Sequence, residues 1–192
     1  MEMKDSVNFV ALTKKEVEDM IAKAALAGAS VATDMMEKAN RKELKEQKDR
    51  RLHNTKLLLR NYRVLKESCM KAVYKKPPKQ STEEVINDLM SMKASDGVIV
   101  NSIKESAERT SIIISHVDRM IDIYRVYCSK YGEKEKRQYK IIKALYLTKE
   151  RSSVEELAKR FKVSKVTVYE DIKIAEERLS ALFFGVQGLR FY

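Results

Sequence analysis

Twelve side chains between Lys149 and Lys173 are of the kinds that grip nucleic acid, and their spacing sorts them into two groups. Lys165, Val166, Tyr169 and Glu170 recur at one-turn intervals, so on a helix they share a face near its start. That is where a helix laid in the major groove meets base edges. Lys149, Arg151, Lys159 and Lys173 flank this face with the hydroxyls of Ser152, Ser153, Ser164 and Thr167, and suit phosphate oxygens. Val166 and Glu170 add no positive charge, which favours reading of base sequence over bulk attraction.

Two short helices joined by a tight turn would position these groups. Ser153 can cap the first helix, with Glu156 three residues on reaching back to complete a capping box. Leu157, Ala158 and Phe161 form its apolar face, and Ala158 is small enough for two crossing helices to approach. Lys162-Val163-Ser164 makes the turn, with Val163 as a buried plug and Ser164 as the next cap. Val168, Ile172, Ala175, Leu179 and Leu182 then bury one stripe of the second helix and leave the other free. Lys162 stands where glycine is common, and a left-handed backbone there costs a non-glycine residue about 1 kcal/mol. The plainer alternative is a helical hairpin inside a bundle, with both faces packed.

The chain of 192 residues suits one large domain or two small ones, and a 44% hydrophobic composition rules out compositional disorder. Its 39 basic and 28 acidic residues leave a net charge of +11, which points to a polyanionic partner. The charge has two seats: residues 41–76 hold 13 basic and four acidic groups, and residues 134–178 hold 13 and eight. The first seat either extends the nucleic-acid contact or is a solvated helix face.

Glycine is rare and proline occurs only at Pro77-Pro78, so the chain reads as all-α. Thr13 to Glu16 form a capping box opening a helix expected to bury Val17, Met20 or Ile21, Ala24 and Val31, with Gly28 to Ser30 weakening its middle. A second helix over 41–76, about 50 Å long, carries the stripe Thr55, Leu58 or Leu59, Tyr62, Leu65, Cys69 and Ala72 and stops at the prolines. Ser81 to Glu84 open a short helix to about Met92, and Asp96-Gly97 mark a turn. Ile103, Ala107, Thr110, Ile114, Val117, Ile121, Tyr124, Cys128 and Tyr131 then alternate by four and three, a heptad seam that needs a long partner. The basic helix of the same chain is the preferred partner, and a homodimer through the 103–131 seam is the alternative. Gly132 ends that helix, and one from Lys134 to Leu147, burying Ile141 or Ile142, Leu145 and Tyr146, supports the motif. The apolar tail from Phe183 to Tyr192 is expected to fold over the core, with a partner surface as the alternative. Expected domains are therefore 1–131, a long-helix bundle or coiled-coil region with a break at 77–81, and 132–192, a helix-turn-helix unit with its tail.

Enzyme chemistry has little to stand on, since the chain has no glycine-rich phosphate loop, nucleophile elbow or His-Glu metal-binding helix. The acidic pairs Glu155-Glu156 and Glu176-Glu177 diverge on a helix and read as caps or solvated charges. Cys69 and Cys128 read as reduced core thiols; with His53 and His116 they have no finger-like spacing, so neither metal nor cofactor is expected. No apolar run approaches the roughly 20 residues that span a bilayer, and the N-terminus has no signal pattern. A cytoplasmic, nucleoid-associated protein is the expectation.

The run from Leu157 to Lys173 resembles the helix-turn-helix of sigma region 4, over about residues 134–184. With Leu58 to Lys66 upstream and Arg109 to Tyr131 in the middle, the arrangement is similar to phage-borne regulators of the ArpU and RinA kind. That resemblance implies a small, sigma-like activator that binds promoter DNA before late genes and recruits RNA polymerase. It also implies base reading by Lys165, Val166, Tyr169 and Glu170. Two other classes stay open: a DNA-packaging subunit like a small terminase, and a helical protein that grips RNA polymerase without touching DNA.

Overall fold

The structure is a computed structural model that describes residues 13–71 and 80–185. Among the described residues there are seven α-helices, one π-helical turn and no strand, so the all-α expectation holds. The chain divides into two compact units, Met1–Gln47 and Lys48–Tyr192.

Helix α1 (Lys14–Lys71) runs through both expected N-terminal helices without a break. Gly28 costs a helix about 1 kcal/mol relative to alanine, too little to interrupt a long run free of proline. The opening capping box is formed: the Thr13 backbone N–H donates to Glu16 Oε2 at 2.7 Å, and the Glu16 N–H donates to Thr13 Oγ1 at 3.3 Å. The burial expected for this first stretch is not found. Val17, Met20, Ile21 and Val31 are 40–64% exposed, and Ala24 is exposed too, because among the described residues of this unit no second element covers the stripe.

In the second unit the expected stripe of α1 is in place. Thr55, Leu58, Leu59, Tyr62 and Leu65 are buried and Cys69 is half-buried, whereas Ala72 and Pro77-Pro78 lie outside the described residues. Helix α2 (Thr82–Ser91) opens on the Ser81–Glu84 capping box and buries Val85, Ile86 and Leu89. Asp96 and Gly97 are not a turn. They begin α3 (Asp96–Glu105), which buries Ile99, Val100 and Ile103.

Helix α4 (Ala107–Tyr131) carries most of the heptad seam, but the seam is not one continuous helix. Ser106 breaks it: its hydroxyl accepts from the Arg109 N–H at 3.2 Å, so the chain starts a fresh, capped helix there. Ala107 and Tyr131, expected at its ends, are exposed. Between them Thr110, Ile114, Val117, Ile121, Tyr124 and Cys128 are buried, and the apolar members share one core with Leu58, Leu59 and Leu65 of α1. The seam is thus filled within the chain, by the basic helix among others, and presents no open face there for a homodimer.

Gly132, with φ of 122°, ends α4 in a conformation that L side chains rarely adopt. Helix α5 (Glu133–Ile142) follows and passes into a π-helical turn at Lys143–Leu147. Helices α6 (Val154–Phe161) and α7 (Lys165–Phe184) are the last among the described residues. Phe183 is buried in the main core and Phe184 packs against it; the rest of the apolar tail lies outside the described residues.

Candidate nucleic-acid interface

Helices α5, α6 and α7 build the site around a small core of their own. Ile141, Ala144, Leu157, Ala158 and Val168 are buried there, with Leu145, Phe161, Val163 and Ile172 packed against them. The start of α6 is fixed by its capping box: the Glu156 N–H donates to Ser153 Oγ at 3.2 Å, and the Ser153 N–H donates to Glu156 Oε2 at 2.9 Å. Lys162 closes the helix in the left-handed region, at φ 54° and ψ 44°. The Val163 N–H then donates to Ala158 O at 3.0 Å, and the side chain of Val163 tucks into the small core, half-buried. Ser164 caps α7 by accepting from the Thr167 N–H at 3.0 Å.

A buried polar clamp sets the position of α7 against α5. Asp171 is 1% exposed; its carboxylate accepts from Arg137 Nε at 2.6 Å and from Gln138 Nε2 at 3.1 Å. Gln138 Oε1 in turn accepts from Arg178 at 3.1 Å. Glu176 forms a second anchor, and it is neither a cap nor solvated. It is buried, accepts from the Tyr146 hydroxyl at 3.1 Å and pairs with Lys56 of α1 at 3.6 Å. Burial and the adjacent Glu176 carboxylate push the Tyr146 hydroxyl up to about 12. Sequence reasoning missed both carboxylates, because a charge in a helical apolar stripe is invisible until its cationic partners, one of them some 120 residues away, are brought to it.

With α7 held from behind, the N-terminal residues of its outer face are free. Val166 and Tyr169 are 66% and 60% exposed, and Lys165 and Glu170 are exposed beside them. Lys165 is already engaged: its ammonium donates to Glu155 Oε1 on α6 at 2.6 Å. That hydrogen bond raises the Lys165 pKa and lowers that of Glu155.

The phosphate candidates differ in availability. Lys149, Arg151, Lys159 and Lys173 are exposed. Ser153 and Ser164 serve their helices as caps, and the Thr167 hydroxyl lies 2.9 Å from Ser164 Oγ, so these three groups shape the turn first. Ser152 is half-buried, with its N–H donating to Ala144 O at 3.3 Å. Arg160 and Lys162, exposed on the same two-helix unit, belong with the cations and could have been read from their place around the turn.

The upstream basic seat reaches the site through α1. Arg63 donates through Nε to Thr148 O and through a terminal nitrogen to Leu145 O at 2.8 Å, satisfying carbonyls at the end of the π turn. Burial, and then the nearby charge of Arg151, lower the Arg63 pKa. Lys66 pairs with Asp118 at 3.0 Å, and His53 with Asp96 at 2.9 Å. Lys56, Arg63 and Lys66 of that basic helix are therefore engaged in holding the second unit together, while Arg60 stays exposed near Tyr146. Cys128 is buried and His116 lies 2.9 Å from Phe183 O; among the described residues no three His, Cys, Asp or Glu converge on a metal position. No helix among them is long and apolar enough to cross a membrane.

Residues 137–188 match the family described as the HTH domain, which spans α5, the π turn, α6 and α7. No curated protein and no solved structure matches the chain. The described residues are therefore all-α, and the C-terminal region 137–188 matches a helix-turn-helix domain.

Proposed function

We propose that this chain is a sequence-specific transcriptional regulator, and in finer form a phage-type, sigma-like activator of late genes. One observation carries the reading: the N-terminal face of α7 is exposed while Asp171, on the opposite face, is clamped by its buried ion pair with Arg137. In a helix-turn-helix, that is the face that enters the major groove. Lys165, Val166, Tyr169 and Glu170 read base edges. Lys149, Arg151, Lys159 and Lys173 hold phosphates, with Ser152, Ser153, Ser164 and Thr167 orienting the backbone around them. Arg160 and Lys162 add to the same electrostatic field. The activator form also requires contact with RNA polymerase, which the resemblance to sigma region 4 supports.

Selection of bound sequences from random duplexes tests this directly. A defined operator should emerge, and Lys165→Ala with Tyr169→Ala should weaken operator binding by roughly 10–100-fold, as loss of base contacts does. Binding to unrelated duplex should change only a few-fold. Equal loss on every sequence, or selection without enrichment, refutes base reading. Transcription from the selected site by RNA polymerase should rise with added protein, and a fall would refute activation.

A further inference from the structure

We propose that the face of α1 running through Val17, Ile21, Ala24, Gly28, Val31 and Met35 pairs with the same face of a second copy of this chain. The six positions alternate by four and three, the spacing that keeps a seam on one side of a helix pair. They extend for about 28 Å at the rise of an α-helix. Lysines stand at the next positions of the pattern, Lys14 and Lys38, and bound the seam at both ends. All six residues are exposed, and the four large ones are 40–66% exposed. A helix solvated on every side is held only by its own propensity, which a central glycine weakens.

Gly28 identifies the occupant. A Cβ added there meets nothing within 4 Å, so nothing among the described residues requires glycine at that position. A close neighbour from outside would. Ala24 and Gly28 form the middle of the seam, with Ala25 and Ala27 beside them. If two copies align either parallel or antiparallel, this small middle meets a small middle and the helix backbones approach closely. The larger residues at the ends then meet larger residues.

The charges support the same partner. Residues 14–38 carry four basic and five acidic groups, unlike the strongly basic chain as a whole. The segment thus carries almost no net charge, so it gains little from a strongly charged surface and does little to repel a second copy. The area is also adequate. Each large apolar side chain contributes roughly 60–120 Å² when buried. Val17, Met20, Ile21, Val31 and Met35 from two copies supply roughly 600–1,200 Å² on that scale, and the alanines bring the total toward the 1,200 Å² at which stable interfaces begin.

Sedimentation of the full chain tests the proposal without reference to DNA. The protein of 22.2 kDa should sediment as a dimer. Ile21→Glu with Val31→Glu should raise the dimer dissociation constant by more than about 100-fold, the effect of burying unpaired charges. Gly28→Leu should do the same while raising helicity by circular dichroism, which separates loss of pairing from loss of folding. Leu26→Glu changes an equally apolar residue that is 72% exposed but off the seam, and should leave the dimer intact. A monomer at concentrations up to about 100 µM, or a dimer indifferent to Gly28→Leu and to the two glutamates, overturns the proposal.

Discussion

Replacing Asp171 with alanine is expected to destabilise the second unit by about 2–4 kcal/mol. Breaking a buried ion pair by removing one partner costs roughly 3–5 kcal/mol, because the remaining charge is left without compensation. Here the estimate is lowered, since the side chain of Arg137 keeps 23% of its exposure and can regain water. The Gln138 amide cannot do so: Gln138 is fully buried, its oxygen is held by Arg178, and its nitrogen loses its acceptor. With a urea dependence of about 2 kcal/mol per molar, the unfolding midpoint should fall by roughly 1–2 M. The double replacement Arg137→Met with Asp171→Leu should destabilise less than Asp171→Ala alone, because it removes the charges together and keeps the volume. If Asp171→Ala shifts the midpoint by less than the equivalent of about 1 kcal/mol, or if the double variant is the worse of the two, the clamp does not hold α7 as argued.

Other parts of the structure yield predictions of different kinds. Lys149→Ala or Arg151→Ala should weaken binding about equally on all duplexes and lower the slope of log affinity against log salt by about one each. Ser153→Ala should cost about 1 kcal/mol in thermal or urea unfolding, the usual value for a lost helix cap, while Ser153→Gly should cost only a few tenths. The pKa of Glu84 is lowered by its hydrogen bonds from Ser81, so the stability it contributes is present above the ordinary carboxylate value of 4.5 and is lost as pH falls through the depressed one. Titration of the Glu84 carboxyl carbon by NMR should show that lag, and Ser81→Ala should reduce it only in part, because the backbone N–H that makes the larger contribution remains. The Tyr146 hydroxyl is raised to about 12, so its contribution holds below the ordinary value of 10.0 and fades as pH climbs through the raised one. Alkaline absorbance titration should lose one late-ionising tyrosine in Tyr146→Phe.

The motif was legible because its signals are local. Ser153 with Glu156, and Ser81 with Glu84, declare helix starts within four residues, and both capping boxes are formed. Leu157, Ala158 and Val168 declare a buried face by spacing alone. Other features depend on what tertiary contact supplies. The heptad spacing passes smoothly through Ser106, yet that hydroxyl caps a new helix, and a break of one residue leaves the apolar period almost unchanged. Glu176 reads as a cap or a solvated charge until Lys56 arrives opposite it, and nothing local in the sequence singles out Asp171 before Arg137 pairs with it. In the other direction, the apolar stripe beginning at Val17 promised burial, and a stripe shows only that a partner is wanted, not that the same chain provides it.

The ion pair between Lys165 and Glu155 changes what the start of α7 can discriminate. A free lysine adheres to any duplex, since every phosphate offers it the same attraction. Lys165 must first leave a carboxylate 2.6 Å away, so an encounter gains from it only where the new acceptor outcompetes Glu155. On the proposed function the glutamate sets a small threshold, because the pair is exposed to solvent: the lysine would stay with it on random sequence and leave it only at the operator. Selectivity at that position would come from a bond that has to be broken, and Glu155→Gln should make the protein stickier and less discerning.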